Sequence, residues 1–208
     1  MADDIVLYGI ARSSYTRTAR LALHEKGVPY RLEPVDFADP AYRAIHPFNR
    51  IPALRHGDFV LYETDAICRY VDEAFPGPAL QPARPAERAR MAQWISMIGA
   101  YSYGTMVRDI IIERVVAERK YGRPPDEARI AAALPEAARQ LALVDRALAQ
   151  QPCLAGGVLS LADFFLAPIV FWLGAIPEGS TLLPPVPHVR AWFERMASRP
   201  SFKDTPPN

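Results

Sequence analysis

Three hydroxyls crowd the end of the first apolar run: Tyr8 stands before Gly9, and Ser13 and Ser14 follow just ahead of a helical pattern. Hydroxyls at such a place can stabilise an anion, because the free N–H groups and the dipole of a helix N-terminus favour negative charge there. Further on, Asn49-Arg50-Ile51-Pro52 leads into a strand. Proline has no N–H and a fixed φ, so Pro52 must stand at the strand's first residue or on an edge, and the backbone of Ile51 is not fully used inside the sheet. Glu63-Thr64-Asp65 then brings a hydroxyl and two acids to the start of another helix. An open backbone edge beside a helix N-terminus suits one extended peptide with a terminal carboxylate. On residue type alone, Ser13 or Ser14 serves equally well as a plain helix cap.

These residues need a scaffold, and the chain supplies it in order. Ile5-Val6-Leu7-Tyr8 is a short continuous apolar run ending at Gly9, which predicts a buried strand. Tyr15, Ala19, Ala22 and Leu23 recur at helical spacing, and Lys26-Gly27 stops the pattern. Residues 30–35 read as a second strand, which makes a right-handed βαβ unit with a parallel pair. Asp39-Pro40 caps a helical turn. Ala53-Leu54-Arg55, the turn His56-Gly57-Asp58 and Phe59-Val60-Leu61-Tyr62 form an antiparallel hairpin. Ala66, Ile67, Tyr70, Val71 and Ala74 give the following helix an apolar stripe. The order β-α-β-α-β-β-α is that of a thioredoxin-like domain over residues 1–78, a mixed four-stranded sheet with helices on both faces.

Pro76, Pro78, Pro82 and Pro85 mark a stiff linker, placed at residues 79–85. The remainder, residues 86–208, reads as an all-helical domain, so the fold class is α/β plus all-α. Residues 87–121 carry Met91, Trp94, Ile95, Ile98, Met106, Val107, Ile110 and Ile111 as one stripe, with Gly99 and Gly104 as places where it can bend. A second helical region runs over 126–150, where Pro135 either kinks it or starts a new helix. Ser160-Leu161-Ala162-Asp163 is a helix start in which Asp163 acts as glutamate does in a capping box, and the helix it opens, 161–173, is apolar nearly all round. Val189, Trp192, Phe193 and Met196 mark a last amphipathic helix, ended at Arg199-Pro200.

Composition excludes several classes. The formal net charge is +1, which gives no field to attract nucleic acid or an acidic membrane surface. The acidic start Met1-Ala2-Asp3-Asp4 has no apolar core segment, and no run approaches the roughly 20 apolar residues of a membrane span, so a cytoplasmic location is expected. The two cysteines, Cys68 and Cys153, stand alone, which speaks against a disulfide framework, a zinc site or a dithiol centre. Cys68 reads as inert packing, and His24, His46, His56 and His188 have no metal spacing.

The run N-R-I-P-A-L, a short hairpin and then Y-E-T-D-A-I-x-R-Y resembles the glutathione-binding half of the cytosolic glutathione transferases. The L-A-G…S-L-A-D-x-x-L-A-P run and the closing W-F-E-R-M-x-S-R-P-S-F resemble their C-terminal domain, so the resemblance covers nearly the whole chain. It implies that the bond before Pro52 is cis, that Ile51 hydrogen-bonds the cysteinyl backbone of glutathione, and that Glu63 and Thr64 take its γ-glutamyl end. Tyr8-Gly9 followed by Ser13 and L-A-L-H-E-K resembles the serine-type transferases of the phi and theta kinds. That resemblance makes Ser13 the thiol-activating group, leaves Ser14 to cap the helix, and keeps Tyr8 in reserve as the counterpart of the tyrosine of other kinds. No cysteine lies in the loop, unlike the omega and beta kinds. Arg12-Ser13-Ser14 followed by Arg20 resembles the zeta kind, although Tyr15 stands where that kind has cysteine and Glu63 where it has glutamine. The phi His-Lys pair for the glycyl end maps near Phe37-Ala38, and Arg50 replaces a glutamine, which moves the carboxylate contact to Arg50.

The chemistry implied is modest in energy. Lowering a thiol two units from about 8.5 needs about 2.7 kcal/mol. One hydrogen bond to a charged sulfur gives roughly 1.5–3 kcal/mol and a helix N-terminus about 0.3–1, so a single hydroxyl is sufficient. An electrophile pocket is placed near Tyr101, Tyr103, Met106 and Val107, residue types that also serve as core. The resemblance implies conjugation of glutathione to small hydrophobic electrophiles, with glutathione as co-substrate and neither cofactor nor metal. It also implies a symmetric homodimer in which the 49–70 region of one subunit faces the long helix of the other. A glutathione-dependent cis–trans isomerase and a transferase-like binding protein without turnover are the alternatives.

Overall fold

The computed structural model describes residues 5–207, apart from the side chain of Lys120, so the acidic start lies outside the described residues. The chain divides into two compact units, one running up to Gln81 and resuming at Ser198, the other spanning Pro82–Ala197.

In the first unit, strand β1 is Ile5–Tyr8, helix α1 Ser14–Glu25, β2 Arg31–Glu33, α2 Tyr42–Ile45, β3 Ala53–His56, β4 Phe59–Tyr62 and α3 Thr64–Ala74. The sheet order is β2-β1-β3-β4, with β1 parallel to β2 and antiparallel to β3, and β3 antiparallel to β4. This is the mixed four-stranded sheet of the predicted thioredoxin-like order. Val6 and Leu7 are fully buried because β1 is central and covered on both faces, which explains its unbroken apolar run. Pro52 precedes β3, where its missing N–H costs no ladder bond. Helices α1 and α3 pack together over buried Leu21, Leu23, Ile67, Cys68 and Val71.

The unit boundaries differ from the expected 78 and 86. Residues 79–81 belong to the first unit, because the Leu80 N–H donates to the Asp72 carboxylate at 2.8 Å and Lys26 Nζ bridges Asp72 at 3.1 Å and the Pro78 carbonyl at 3.2 Å. The closing residues also join the first unit rather than the helical one. Helix α11, Pro200–Lys203, sits against α1, and Arg199 pairs with Glu25 through both Nε and Nη2 at 2.7 Å. These pairs lie 174 residues apart, so local pattern cannot show them.

The second unit is helical: α4 Pro85–Met97, a π-helical stretch Ile98–Ile111, α5 Ile112–Val115, α6 Ala117–Tyr121, α7 Glu127–Leu148, α8 Leu161–Gly174, α9 Gly179–Leu182 and most of α10, Pro187–Ser198. The expected long helix is therefore nearly continuous. Its irregularity is a change of hydrogen-bond step over the stretch that contains Gly99 and Gly104: the Ile112 N–H bonds the Val107 carbonyl, five residues back. Pro135 lies inside α7. One lost backbone bond costs roughly 3 kcal/mol, and the buried face of Ile130, Ala133, Ala137, Leu141 and Val144 outweighs it at about 1.5–3 kcal/mol for each large side chain. Helix α8 is buried along almost its whole length, as its composition predicts. Its Asp163 accepts the Ser160 N–H at 3.0 Å, closing the helix start.

Candidate active site

The loop between β1 and α1 sets the serine geometry. Ser13 has extended backbone angles, φ −69° and ψ 127°, and is the N-cap of α1, its Oγ accepting the Thr16 N–H at 3.2 Å. Its carbonyl accepts the Arg17 N–H at 2.9 Å, closing the first turn. The cap is thus Ser13 and not Ser14. Ser14 has already entered the helix and is buried, so its hydroxyl no longer faces the open N–H groups. Capping uses an oxygen lone pair and leaves the hydroxyl proton free to donate outward. Ser13 can therefore cap the helix and hold a thiolate at once.

Gly9 explains why this turn is so tight. A Cβ at Gly9 would stand 2.5 Å from Thr16 Oγ1 and 2.7 Å from Thr16 Cγ2, so only glycine lets Thr16 and its capping N–H lie against the strand end. Thr16 is fully buried in that position. Residue types pointed to the glycine only as a strand stop. Its packing role depends on a contact across the turn.

Tyr8 is engaged elsewhere. Its hydroxyl accepts Arg55 Nε at 3.2 Å, and its ring centroid lies 6.2 Å from that of Tyr42 on α2. Tyr8 is thereby packed beside Tyr42 of α2, whereas Ser13 stands at the N-terminus of α1, where the helix N–H groups and dipole favour a negative charge.

The Ile51–Pro52 peptide bond is cis. The ladder of β3 begins at Ala53, paired with Tyr8 and Tyr62, so the Ile51 backbone stays outside the sheet as expected. Tyr42 donates its hydroxyl to the Arg50 carbonyl at 2.7 Å and fixes this approach, while the Arg50 side chain is exposed. Glu63 is the N-cap of α3 with φ 72° and an exposed side chain that does not cap the helix, and Thr64 is buried as its first residue. The Glu63 side chain thus leaves the first N–H groups of α3 uncapped. A non-glycine residue at positive φ is a local cost of the kind that clusters at binding sites. Ser13, Ile51, Pro52, Glu63 and Thr64 thus all stand at strand ends and helix starts of one unit.

Other candidates separate. Met106 and Val107 are buried at 0% and 5% exposure, so they belong to the core of the second unit, whereas Tyr101 is exposed at 63% and Tyr103 is half-buried. Cys68 is fully buried, and that burial pushes its thiol above its ordinary range, in keeping with inert packing. Among the described residues no group of three or more His, Cys, Asp or Glu side chains is arranged to hold a metal ion. No helix among them is long and apolar enough to cross a membrane.

Comparison with known proteins bears on this geometry. Residues 7–79 match the family model described as glutathione S-transferase, N-terminal domain, and residues 94–200 the one described as glutathione S-transferase, C-terminal domain. The chain is 30% identical over 200 residues to a probable glutathione S-transferase of Oryza sativa subsp. japonica, covering 94% of this chain and 92% of the relative. Among solved structures it resembles glutathione S-transferase III in its apo form, with a TM-score of 0.88 at 31% identity, covering 97% of this chain and 95% of the other. It also resembles a theta class glutathione S-transferase from Xanthomonas axonopodis pv. citri with glutathione bound, with a TM-score of 0.84 at 34% identity over 98% and 97% of the two chains.

Proposed function

The chain belongs to the glutathione S-transferase family and is a glutathione transferase, and from that premise we propose that it activates the glutathione thiol at Ser13 and conjugates it to small hydrophobic electrophiles. Glutathione is the co-substrate, used without a separate cofactor. Its cysteinyl backbone pairs with Ile51 beside Pro52, its γ-glutamyl carboxylate meets the open N–H groups of α3 at Glu63 and Thr64, and its glycyl carboxylate meets Arg50. The thiol proton leaves to solvent. The thiolate is held by the Ser13 hydroxyl and the N-terminus of α1, and its electron pair forms the new sulfur–carbon bond while the electrophile's leaving group departs with its bonding pair or, in an addition, its π pair shifts to the neighbouring atom and is protonated from solvent. Exposed Tyr101 and half-buried Tyr103 are the aromatic surface offered to the electrophile. The family's location and assembly are carried over as a cytoplasmic homodimer, supported by apolar Phe48, Phe59 and Val60, exposed at 68%, 47% and 38% in or beside the 49–70 region.

The observation that carries this reading is the double capacity of Ser13, a cap acceptor whose proton remains free at the head of α1. The experiment is an ultraviolet titration of the thiolate of bound glutathione. Ser13→Ala is expected to raise its pKa by a unit or more and lower turnover at least tenfold, about 1.4 kcal/mol of barrier, while Tyr8→Phe leaves both nearly unchanged. A titration that moves in Tyr8→Phe and not in Ser13→Ala would transfer the role to the tyrosine.

A further inference from the structure

The segment 199–206 lies along α1, the helix whose first turn carries Ser13. At the far end of α1, Glu25 accepts Arg199 through Nε and Nη2 at 2.7 Å and the Ser201 hydroxyl at 2.5 Å. In the middle, Arg20 donates from Nη1 to the Pro206 carbonyl at 2.9 Å and from Nε to the Tyr30 hydroxyl at 3.1 Å. Nearest to Ser13, Arg17 donates from Nη2 to the Phe202 carbonyl at 3.0 Å, and its guanidinium carbon stands 3.8 Å from the centre of the Phe202 ring. The Thr205 hydroxyl folds back onto the Ser201 carbonyl at 2.8 Å and keeps the segment in this shape. Arg17, Phe202 and Thr205 are buried at 2%, 5% and 0% exposure.

Arg17 is coupled to the serine through the backbone. Its N–H closes the first turn on the Ser13 carbonyl at 2.9 Å, and the neighbouring Thr16 N–H holds Ser13 Oγ at 3.2 Å. Where the guanidinium is held therefore decides how the first turn of α1 is rotated. Withdrawing it from Phe202 would give up a carbonyl bond and a ring contact that a desolvated cation needs, so this contact is costly to break. Burial and the nearby Arg20 pull Arg17 down to about 10, which leaves it charged at neutral pH. Hydrogen bonds weaken steeply with angle, and a displacement of about 1 Å at a reacting group can cost on the order of a hundredfold in rate.

We propose that Arg17 and Phe202 are positioning residues for the thiol-activating hydroxyl: the C-terminal segment clamps α1 one turn beyond Ser13 and fixes where Ser13 Oγ points. The proposal rests on the reading of Ser13 as the group that holds the thiolate.

The test uses the full-length protein with glutathione, comparing the parent with Ser13→Ala, Phe202→Ala, Arg17→Lys and Arg199→Met. Four quantities are measured: the ultraviolet titration of bound thiolate, kcat, KM for glutathione, and the melting temperature. Phe202→Ala is expected to raise the thiol pKa by about half a unit and lower kcat about threefold, with KM within about twofold of the parent. Arg17→Lys keeps the charge and gives up the planar stack, and should act alike if Phe202→Ala folds poorly. Arg199→Met loosens the same segment at the far end of α1 and should lower the melting temperature while the titration stays in place. A titration that moves in Ser13→Ala and in neither Phe202→Ala nor Arg17→Lys overturns the clamp alone. Equal movement in Arg199→Met also overturns it, since general loosening would then be the cause. A titration unmoved in Ser13→Ala overturns the serine reading and the clamp with it.

Discussion

Asp163→Ala is expected to be the most destabilising single truncation in the helical unit. The Asp163 carboxylate is fully buried and accepts four hydrogen bonds: Leu154 N–H at 3.1 Å, Ser160 N–H at 3.0 Å, the Ser160 hydroxyl at 3.1 Å and Trp192 Nε1–H at 2.9 Å. Burial nevertheless raises its carboxyl above the ordinary range, so the bonds do not fully offset the cost of the charge. Truncation to alanine leaves two backbone donors and one indole donor without an acceptor, on residues that are 0–1% exposed. At roughly 1–3 kcal/mol for each stranded donor, less the relief of removing a buried charge, the loss comes to about 3–5 kcal/mol. Asp163→Asn keeps the volume and one acceptor oxygen but turns a donor toward the Ser160 N–H, and should fall about midway. Trp192→Phe removes one of the stranded donors, so Asp163→Ala combined with it should cost less than the sum of the two by about 1–3 kcal/mol. Urea unfolding followed by circular dichroism measures all four variants. A midpoint for Asp163→Ala that converts to less than about 1 kcal/mol would refute the accounting, because it would mean that water reaches those donors freely.

Two further outcomes follow from the first unit. Gly9→Ala places a methyl group 2.5 Å from Thr16 Oγ1 and is expected to cost about 1–3 kcal/mol by overpacking and to raise the pKa of bound thiolate, with Gly9→Ala/Thr16→Ala restoring stability; thermal unfolding and the same ultraviolet titration check both. Light scattering at micromolar concentration should give twice the 23.2 kDa chain mass for the homodimer, and the monomer mass would count against it.

The sheet and its helices were legible because their signals are local. An unbroken apolar run for a central strand, glycine at the hairpin turn and proline before β3 each constrain a few neighbouring residues, and together they allow one order of elements. The π-helical stretch was not legible. Met106, Val107, Ile110 and Ile111 are buried in it, and that spacing fits an i→i−4 helix as well as an i→i−5 one. Pro135 was ambiguous for a different reason: whether a helix survives a proline depends on what its other face buries, and in α7 that face is strong enough. In the candidate site the position of Ser13 was legible and its capping role was not. Ser13 and Ser14 are the same residue type, and only the backbone angles at the turn decide which one stands outside the helix.

The same distinction explains why the C-terminal segment escaped sequence reasoning although its residues were in view. Arg199-Pro200 predicts a helix stop, and α10 ends at Ser198 with α11 beginning at Pro200. What a stop cannot reveal is its destination. The segment is held by Glu25, Arg20 and Arg17, charged residues on a helix that pattern alone would leave facing water, yet Arg17 and Arg20 are buried at 2% and 8% exposure. Buried arginines are rare because desolvation is costly, so two of them on one short helix require nearby carbonyl acceptors. Phe202 and Pro206 supply those acceptors from the other end of the chain. Helix α1, which opens at Ser13, is thus held along its length by contacts from the far end of the sequence.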